Sequence, residues 1–506
     1  MLLEVVIFTY NCFIGSLSKD YNLILYKMAK LKNIIRQLSD SDYISIHESL
    51  MENSAEKSAH LLKAMRERSL SDTKIMDELG VNTNAYYTLR SRLNQKIEEY
   101  LLQQMENPRT DLIKKVANIN EVIFTKKKAI AVATLKKIEK ELLDYDLPSE
   151  LTVVYKTLRK LHINTPDHFT YSQLYNKHVA YMLAVDKAEE MLSQYFKKYG
   201  EYSLSREETN KLELNLLTEE MNNLCNIYES HRLYVYQSCL NVFHRLFVAE
   251  EVHENSEAEP IEDILDKVHN ILNSYYLDSI YHHLQLTYEL LRLEYYNHYK
   301  VYRKAEDYYE VVNDATATLL TNYSLHSYPA QYLISKLERS IRVGDVESLN
   351  EENEMLFHDY EPDLDDTPKY VTYVVYRSLS CFYAQKYNEA ARWINNLLNE
   401  TSLKKYPYAQ LEVKAVLALQ YCLMNDYDLF NQLTNSIQRQ VRILGKENTE
   451  SIVIFTKILK ISVSDVKRDK YNKIKTLVEK FGRFEMTNFA PTMLVKMDES
   501  FINRLC

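Results

Sequence analysis

The stretch from Thr372 to Arg439 reads TYVVYRSLSCFYAQKYNEAARWINNLLNETSLKKYPYAQLEVKAVLALQYCLMNDYDLFNQLTNSIQR, and one pattern occurs in it twice. In the first copy Leu379 and Ser380 are followed by Tyr383 and then by Tyr387-Asn388-Glu389-Ala390. In the second, Leu417 and Ala418 are followed by Tyr421, Asn425-Asp426-Tyr427 and Phe430. Each copy has the spacing of an apolar helix, a tight polar turn and a second helix that opens on an aromatic residue. Tyr387 and Tyr427 stand 40 residues apart, so the copies are in register.

The turn pattern recurs on both sides of this stretch. It appears as Tyr302-x-x-Ala305, Gly344-Asp345-Val346 with Leu349, Tyr387-x-x-Ala390, Tyr427-x-x-Phe430 and Tyr471-x-x-Ile474. The last residues of the five copies are separated by 44, 41, 40 and 44 positions. A weaker early copy is Val185-Asp186-Lys187-Ala188 with Tyr195. The pattern resembles the tetratricopeptide class of helical repeat, in which a small residue sits against the neighbouring helix and aromatics fill the gap between hairpins. The step exceeds the roughly 34 residues of that class, which predicts longer helices or larger loops.

The resemblance implies an α-solenoid of helical hairpins with a period of about 40–44 residues, filling residues 149–506. In such a stack the first helices line a concave face. Here that face would present Arg377, Cys381, Gln385, Leu419 and Leu423. These residues lack the lysine-asparagine arrangement that clamps a terminal carboxylate. They imply an apolar groove for a partner helix, or for the chain's own tail from Phe481 to Leu505. The alternative is that Leu419 and Leu423 pack inward.

Composition supports an all-α chain. There are 6 Gly and 9 Pro in 506 residues. Phosphate-binding loops, nucleophile elbows and many short strands all require more of these breakers. The 42 tyrosines fall at helical spacing beside Leu and Ile, where a ring packs between helices and its hydroxyl reaches the wet edge. The six cysteines form no C-x-x-C pair and the 14 histidines no H-E-x-x-H, so no metal or cofactor is indicated. No serine or cysteine stands in a nucleophile motif. The paired acids Glu351-Glu352 and Asp365-Asp366 read as solvated turns.

Residues 1–27 read as a leader or a mis-assigned start, because Leu2–Leu17 is too short to span a membrane and Met28 opens an ordinary helix. Residues 28–107 read as a helical head and 108–148 as connecting long helices. Inside the head, Ser71 to Ile97 (SDTKIMDELGVNTNAYYTLRSRLNQKI) resembles a helix-turn-helix. Ser71 caps a helix bearing Ile75, Met76 and Leu79, Gly80 turns, and Thr83 opens a helix bearing Tyr86, Leu89 and Leu93. Met76 stands where that motif usually has a small residue. The resemblance implies DNA readout by Asn82, Thr83, Asn84, Tyr87, Thr88 and Ser91, with Arg90 and Arg92 on phosphates.

Charge is unevenly spread. Residues 28–145 hold 20 Lys and Arg against 17 Asp and Glu, whereas residues 146–506 hold 40 against 52. A mildly basic head on an acidic body makes the head the place for a polyanion. His253–Asp263 (HENSEAEPIED) is the clearest loop inside the body. Taken together, the sequence predicts a non-enzymatic cytoplasmic scaffold that binds a protein or peptide, with no membrane association and no small-molecule substrate. The alternative is a transcriptional regulator that reads DNA through residues 71–97 and uses the repeat body as sensor or oligomerisation module.

Overall fold

The computed structural model describes residues 31–506 apart from 32–34, 36–37, 39, 53–54, 68–71, 105–107, 206, 229, 250–258, 275–278, 323–325, 359, 446–448, 465–468 and 485–488. The expected leader, the Ser71 cap and residues 253–258 of the acidic loop lie outside the described residues. Among the described residues every regular element is helical. The chain divides into two compact units, residues 1–114 and 115–506.

The first unit contains α1 (Asp40–Glu52), α2 (Glu56–Glu67), α3 (Asp72–Leu79) and α4 (Thr83–Gln104). Helix α2 is its centre and packs against the other three. Ile46, Leu62, Met65, Ile75, Tyr86, Leu93 and Ile97 form the core between them. Gly80 joins α3 to α4 at a φ of 60°, and the Val81 N–H closes the turn on the Met76 carbonyl at 3.2 Å. A left-handed residue is needed at this point, which is why glycine stands there.

Helix α5 (Pro108–Ala117) crosses the boundary between the units. The second unit continues with α6 (Ile119–Thr125), α7 (Lys128–Asp144), α8 (Pro148–Leu161), α9 (Asp167–Ser205), α10 (Glu208–Ile227), α11 (His231–Phe247) and α12 (Ile261–Ser274). Then come α13 (Ser279–His298), α14 (Tyr302–Asp314), α15 (Thr316–Asn322), α16 (Ala330–Val343), α17 (Leu349–Leu356), α18 (Thr367–Tyr383) and α19 (Tyr387–Glu400). The last helices are α20 (Pro407–Leu423), α21 (Tyr427–Leu444), α22 (Glu450–Val463), α23 (Lys470–Phe481) and α24 (Glu499–Leu505). Sequence neighbours α13 and α14, α18 and α19, α20 and α21, and α22 and α23 pair as hairpins. Successive hairpins touch as well, α16 on α18, α19 on α20, and α20 on α22.

The turns carry the spacing read in the sequence. Positive φ occurs at Lys300, Gly344, Gln385, Asn425 and Asp469, in steps of 44, 41, 40 and 44 residues. Five positions after each comes a buried side chain: Ala305, Leu349, Ala390, Phe430 and Ile474. At Gln385 the turn closes through Lys386 N–H to the Cys381 carbonyl at 2.8 Å, and at Asn425 through Asp426 N–H to the Tyr421 carbonyl at 3.0 Å. Both ladders end in the same left-handed cap, so equal spacing in sequence becomes equal geometry in the chain.

The weak early copy is not a hairpin. Val185–Ala188 lies inside α9, an uninterrupted helix of 39 residues. Its only glycine, Gly200, does not break it: a Cβ there would stand 3.1 Å from Pro368 Cβ and Tyr328 Cε2, so this glycine serves close approach of α9 to the start of α18. The tyrosines also differ from expectation. Tyr195, Tyr236, Tyr332 and Tyr376 are wholly buried; the hydroxyls of Tyr332 and Tyr376 find partners inside, whereas that of Tyr236 reaches the exposed Glu189. Tyr236 donates to Glu189 Oε1 at 2.6 Å and Tyr376 to Asn353 Oδ1 at 2.7 Å, which removes the cost of an unmet buried hydroxyl.

Candidate functional site

Two surfaces were singled out by the sequence, and the structure treats them differently. In the head, Asn82, Asn84, Tyr87, Thr88, Ser91 and Arg92 are all exposed around the first turns of α4. Thr83 opens that helix. Asn82 also works locally, its Oδ1 accepting the Ala85 N–H at 2.9 Å as an N-cap. Thr88 donates back to the Asn84 carbonyl at 3.0 Å. Arg90 departs from expectation: it is buried, with 7% of its surface exposed. The reason is helical spacing, since positions 86, 90, 93 and 97 share the face that Tyr86, Leu93 and Ile97 turn into the core. Arg92, two residues on, is the arginine that remains outside.

In the body, three of the five expected groove residues are interior. Arg377 is 5% exposed. Its guanidinium lies 4.7 Å from the Trp393 ring centroid, donates to the Tyr373 hydroxyl at 2.9 Å and pairs with Glu354. Cys381 is buried beside Asn350, its Sγ 3.2 Å from Oδ1, and burial pushes the thiol up to about 11. Leu419 is wholly buried and Leu423 half-buried. Gln385 stands at the left-handed turn between α18 and α19. These side chains do not line one open groove. Positions 370–382 of α18 are buried all round, and a helix apolar on every side is a core helix.

The surface that does receive a segment of chain was indicated only in outline, through the expectation that the tail docks on the body. Residues 489–505 cross the stack and are fixed by main-chain hydrogen bonds. Tyr383, the last residue of α18, donates to the Leu494 carbonyl at 2.6 Å and accepts the Lys496 N–H at 2.9 Å. Glu412 of α20 is wholly buried, and its Oε2 accepts both the N–H of Thr492 at 3.2 Å and the Thr492 hydroxyl at 2.8 Å. Ser462 of α22 donates to the Leu505 carbonyl at 2.7 Å, and the Phe501 ring meets Phe382 edge-on at 6.4 Å. Helices α18, α20 and α22 each contribute one anchor. The sequence carried a signal for one of these: Glu412 is a lone acid in the apolar run LEVKAVLALQ, and such an acid needs a partner.

Among the described residues no cluster of His, Cys, Asp and Glu has the arrangement to hold a metal ion. No helix among them is long and apolar enough to cross a membrane. No protein-family description, curated protein or solved structure matches this chain.

Proposed function

We propose that the protein is a non-enzymatic scaffold of tetratricopeptide-like helical hairpins whose body binds a short peptide segment of a partner. One observation carries this reading. Tyr383 and Glu412 hold residues 492–496 largely by backbone N–H and C=O groups, with the Thr492 hydroxyl added on Glu412, so recognition rests mainly on the main chain of the bound segment. A surface that captures its own segment in this way is suited to capturing a similar one from elsewhere. The repeating left-handed turns add support, because a stack built on one hairpin geometry presents successive helix ends in a row.

The test uses the full chain and a fluorescent peptide of residues 489–505. A double variant Thr492→Ala, Phe501→Ala loosens the resident segment. It should bind the added peptide at least about tenfold more tightly than the unmodified chain, a difference of roughly 1.4 kcal/mol. Adding Glu412→Gln to that double variant should abolish the gain. If the loosened chain keeps its helical circular dichroism and still takes up no peptide, the scaffold reading is wrong.

A second reading, DNA binding by the head, is supported by the exposed face of Asn82, Asn84, Tyr87, Thr88, Ser91 and Arg92 on α4. A mobility-shift series in salt tests it. DNA binding by this face requires a shift at low salt that weakens steeply as salt rises and is lost in Asn84→Ala, Arg92→Ala.

A further inference from the structure

Helices α10, α11 and α12, with Glu259, border a half-open pocket of about 360 Å³ that the hairpin pattern does not account for. Its volume falls at the lower end of the roughly 300–1,000 Å³ typical of small-ligand sites. Helix α11 supplies most of the wall, through Tyr234, Gln237, Asn241, His244 and Arg245, which recur on one helical face. Asn222 of α10 faces them.

Three amides meet in this wall. Asn222 Oδ1 accepts from Gln237 Nε2 and from Asn241 Nδ2, each at 2.9 Å. Counting capacity, this leaves both N–H groups of Asn222, one N–H each on Gln237 and Asn241, and the carbonyl oxygens of those two residues. Donors and acceptors therefore stand side by side, which complements a peptide group, itself one donor and one acceptor. His244 adds a neutral ring. Burial lowers its pKa to about 4, with Lys211 contributing, and its Nδ1 is engaged by the hydroxyls of Tyr195 at 3.0 Å and Thr218 at 3.2 Å. Nε2 is the nitrogen left for another partner. The Tyr234 hydroxyl is buried and makes no hydrogen bond of normal geometry among the described residues, although Ser238 lies near enough to ease the rise in its pKa.

The pocket lining carries one guanidinium and one carboxylate, Arg245 and Glu259. Arg245 Nη1 donates to the backbone carbonyl of Glu259 at 2.6 Å, while the Glu259 carboxylate is taken by Lys267. With the imidazole neutral and the one acid already paired, the guanidinium is left to face an anion. A planar fork of donors is the group best shaped for a carboxylate.

We propose that this cavity binds a di- or tripeptide, its free carboxylate on Arg245 and its amides on Asn222, Gln237 and Asn241. The site is separate from the surface that holds residues 489–505, so either can stand without the other.

The experiment is native mass spectrometry of the full chain with two mixed tripeptide libraries, one ending in free acids and one in C-terminal amides. The free acids should be retained and the amides held at least about tenfold more weakly. Arg245→Gln should erase that preference, and Asn222→Ala with Asn241→Ala should reduce retention of the acids by a similar factor, all with unchanged circular dichroism. Retention of neither library at millimolar concentration overturns the proposal. So does equal retention of both, or retention unaffected by either substitution; the first two outcomes need no variant to fold.

Discussion

Residues 300–481 and residues 167–274 are built from the same material and pack in different ways. In the first stretch a residue of positive φ stands in the turn between two helices every 40 to 44 positions, and a buried side chain follows five residues later. In the second, one helix of 39 residues runs where a hairpin was expected, and polar groups gather around a cavity. A regular turn lets each hairpin seat closely on the next. A long helix without a turn must be covered by partners of other lengths, and the fit leaves room. The contrast teaches that evenly spaced turns favour close packing of successive hairpins, whereas the irregular stretch leaves a polar pocket between its helices.

The largest effect that would break this contrast comes from the packing itself. Phe430 is buried in the second of the paired copies, and Phe430→Ala should cost roughly 3–5 kcal/mol in urea denaturation. Asn222→Ala in the pocket wall should cost only about 1–2 kcal/mol, the net loss of the two hydrogen bonds it accepts from Gln237 and Asn241. Equal costs at the two positions would erase the distinction.

A smaller effect lies at Glu294 of α13, which joins the two stretches. This carboxyl is buried against the Ser335 hydroxyl, 2.7 Å from Oε2, and burial raises its pKa to about 8. The folded chain keeps the proton while the unfolded chain releases it above pH 4.5, so stability falls as pH climbs from 4.5 to about 8. His244 has the opposite sign: its depressed pKa means stability is lost as pH falls from 6.5 toward 4. Above pH 6.5 only the carboxyl of these two contributes a slope. Glu294→Gln should therefore flatten the decline between pH 6.5 and 8, a gain of roughly 1–3 kcal/mol at the upper end. Urea midpoints at the two pH values measure it.

The smallest effect sharpens the comparison at the turns. Gln385→Gly should stabilise by up to about 1 kcal/mol, because a side chain at a φ of 59° carries strain that glycine lacks. Val185→Gly, at the position where the pattern wrongly placed a turn, should destabilise by about 1 kcal/mol or more. The same residue introduced at the two sites gives opposite signs if the turn at 385 and the unbroken helix at 185 are both as described.

Legibility in the sequence follows the same division. Scarce glycine and proline made the helical class readable, and a recurring turn pattern ending at Ala305, Leu349, Ala390, Phe430 and Ile474 marked five turns. The early copy failed because Val185-Asp186-Lys187-Ala188 contains no residue that ends a helix, so similarity of pattern stood in for a physical stop. The groove residues failed for a different reason. Periodicity gives the face of a helix, but Arg377 and Cys381 point toward a preceding helix that only the fold brings there. Arg90, expected on phosphates, shares a face with Tyr86 and Leu93 and so turns into the core of the head. The amide cluster was invisible because Asn222, Gln237 and Asn241 come from two helices and form no linear motif.

The segment at 489–505 has a thermodynamic consequence. Its hydrogen bonds join residues 111 and 113 positions apart, from Tyr383 to Leu494 and Lys496. A stack in which each hairpin touches only its neighbours melts inward from an end, one layer at a time. A strap lashed across α18, α20 and α22 works against that order, as does α9, which packs on both α18 and α20. Amide protons of all three helices should then exchange through a single opening event, and cutting the lashing at Tyr383 should free α22 to open before α18 and α20.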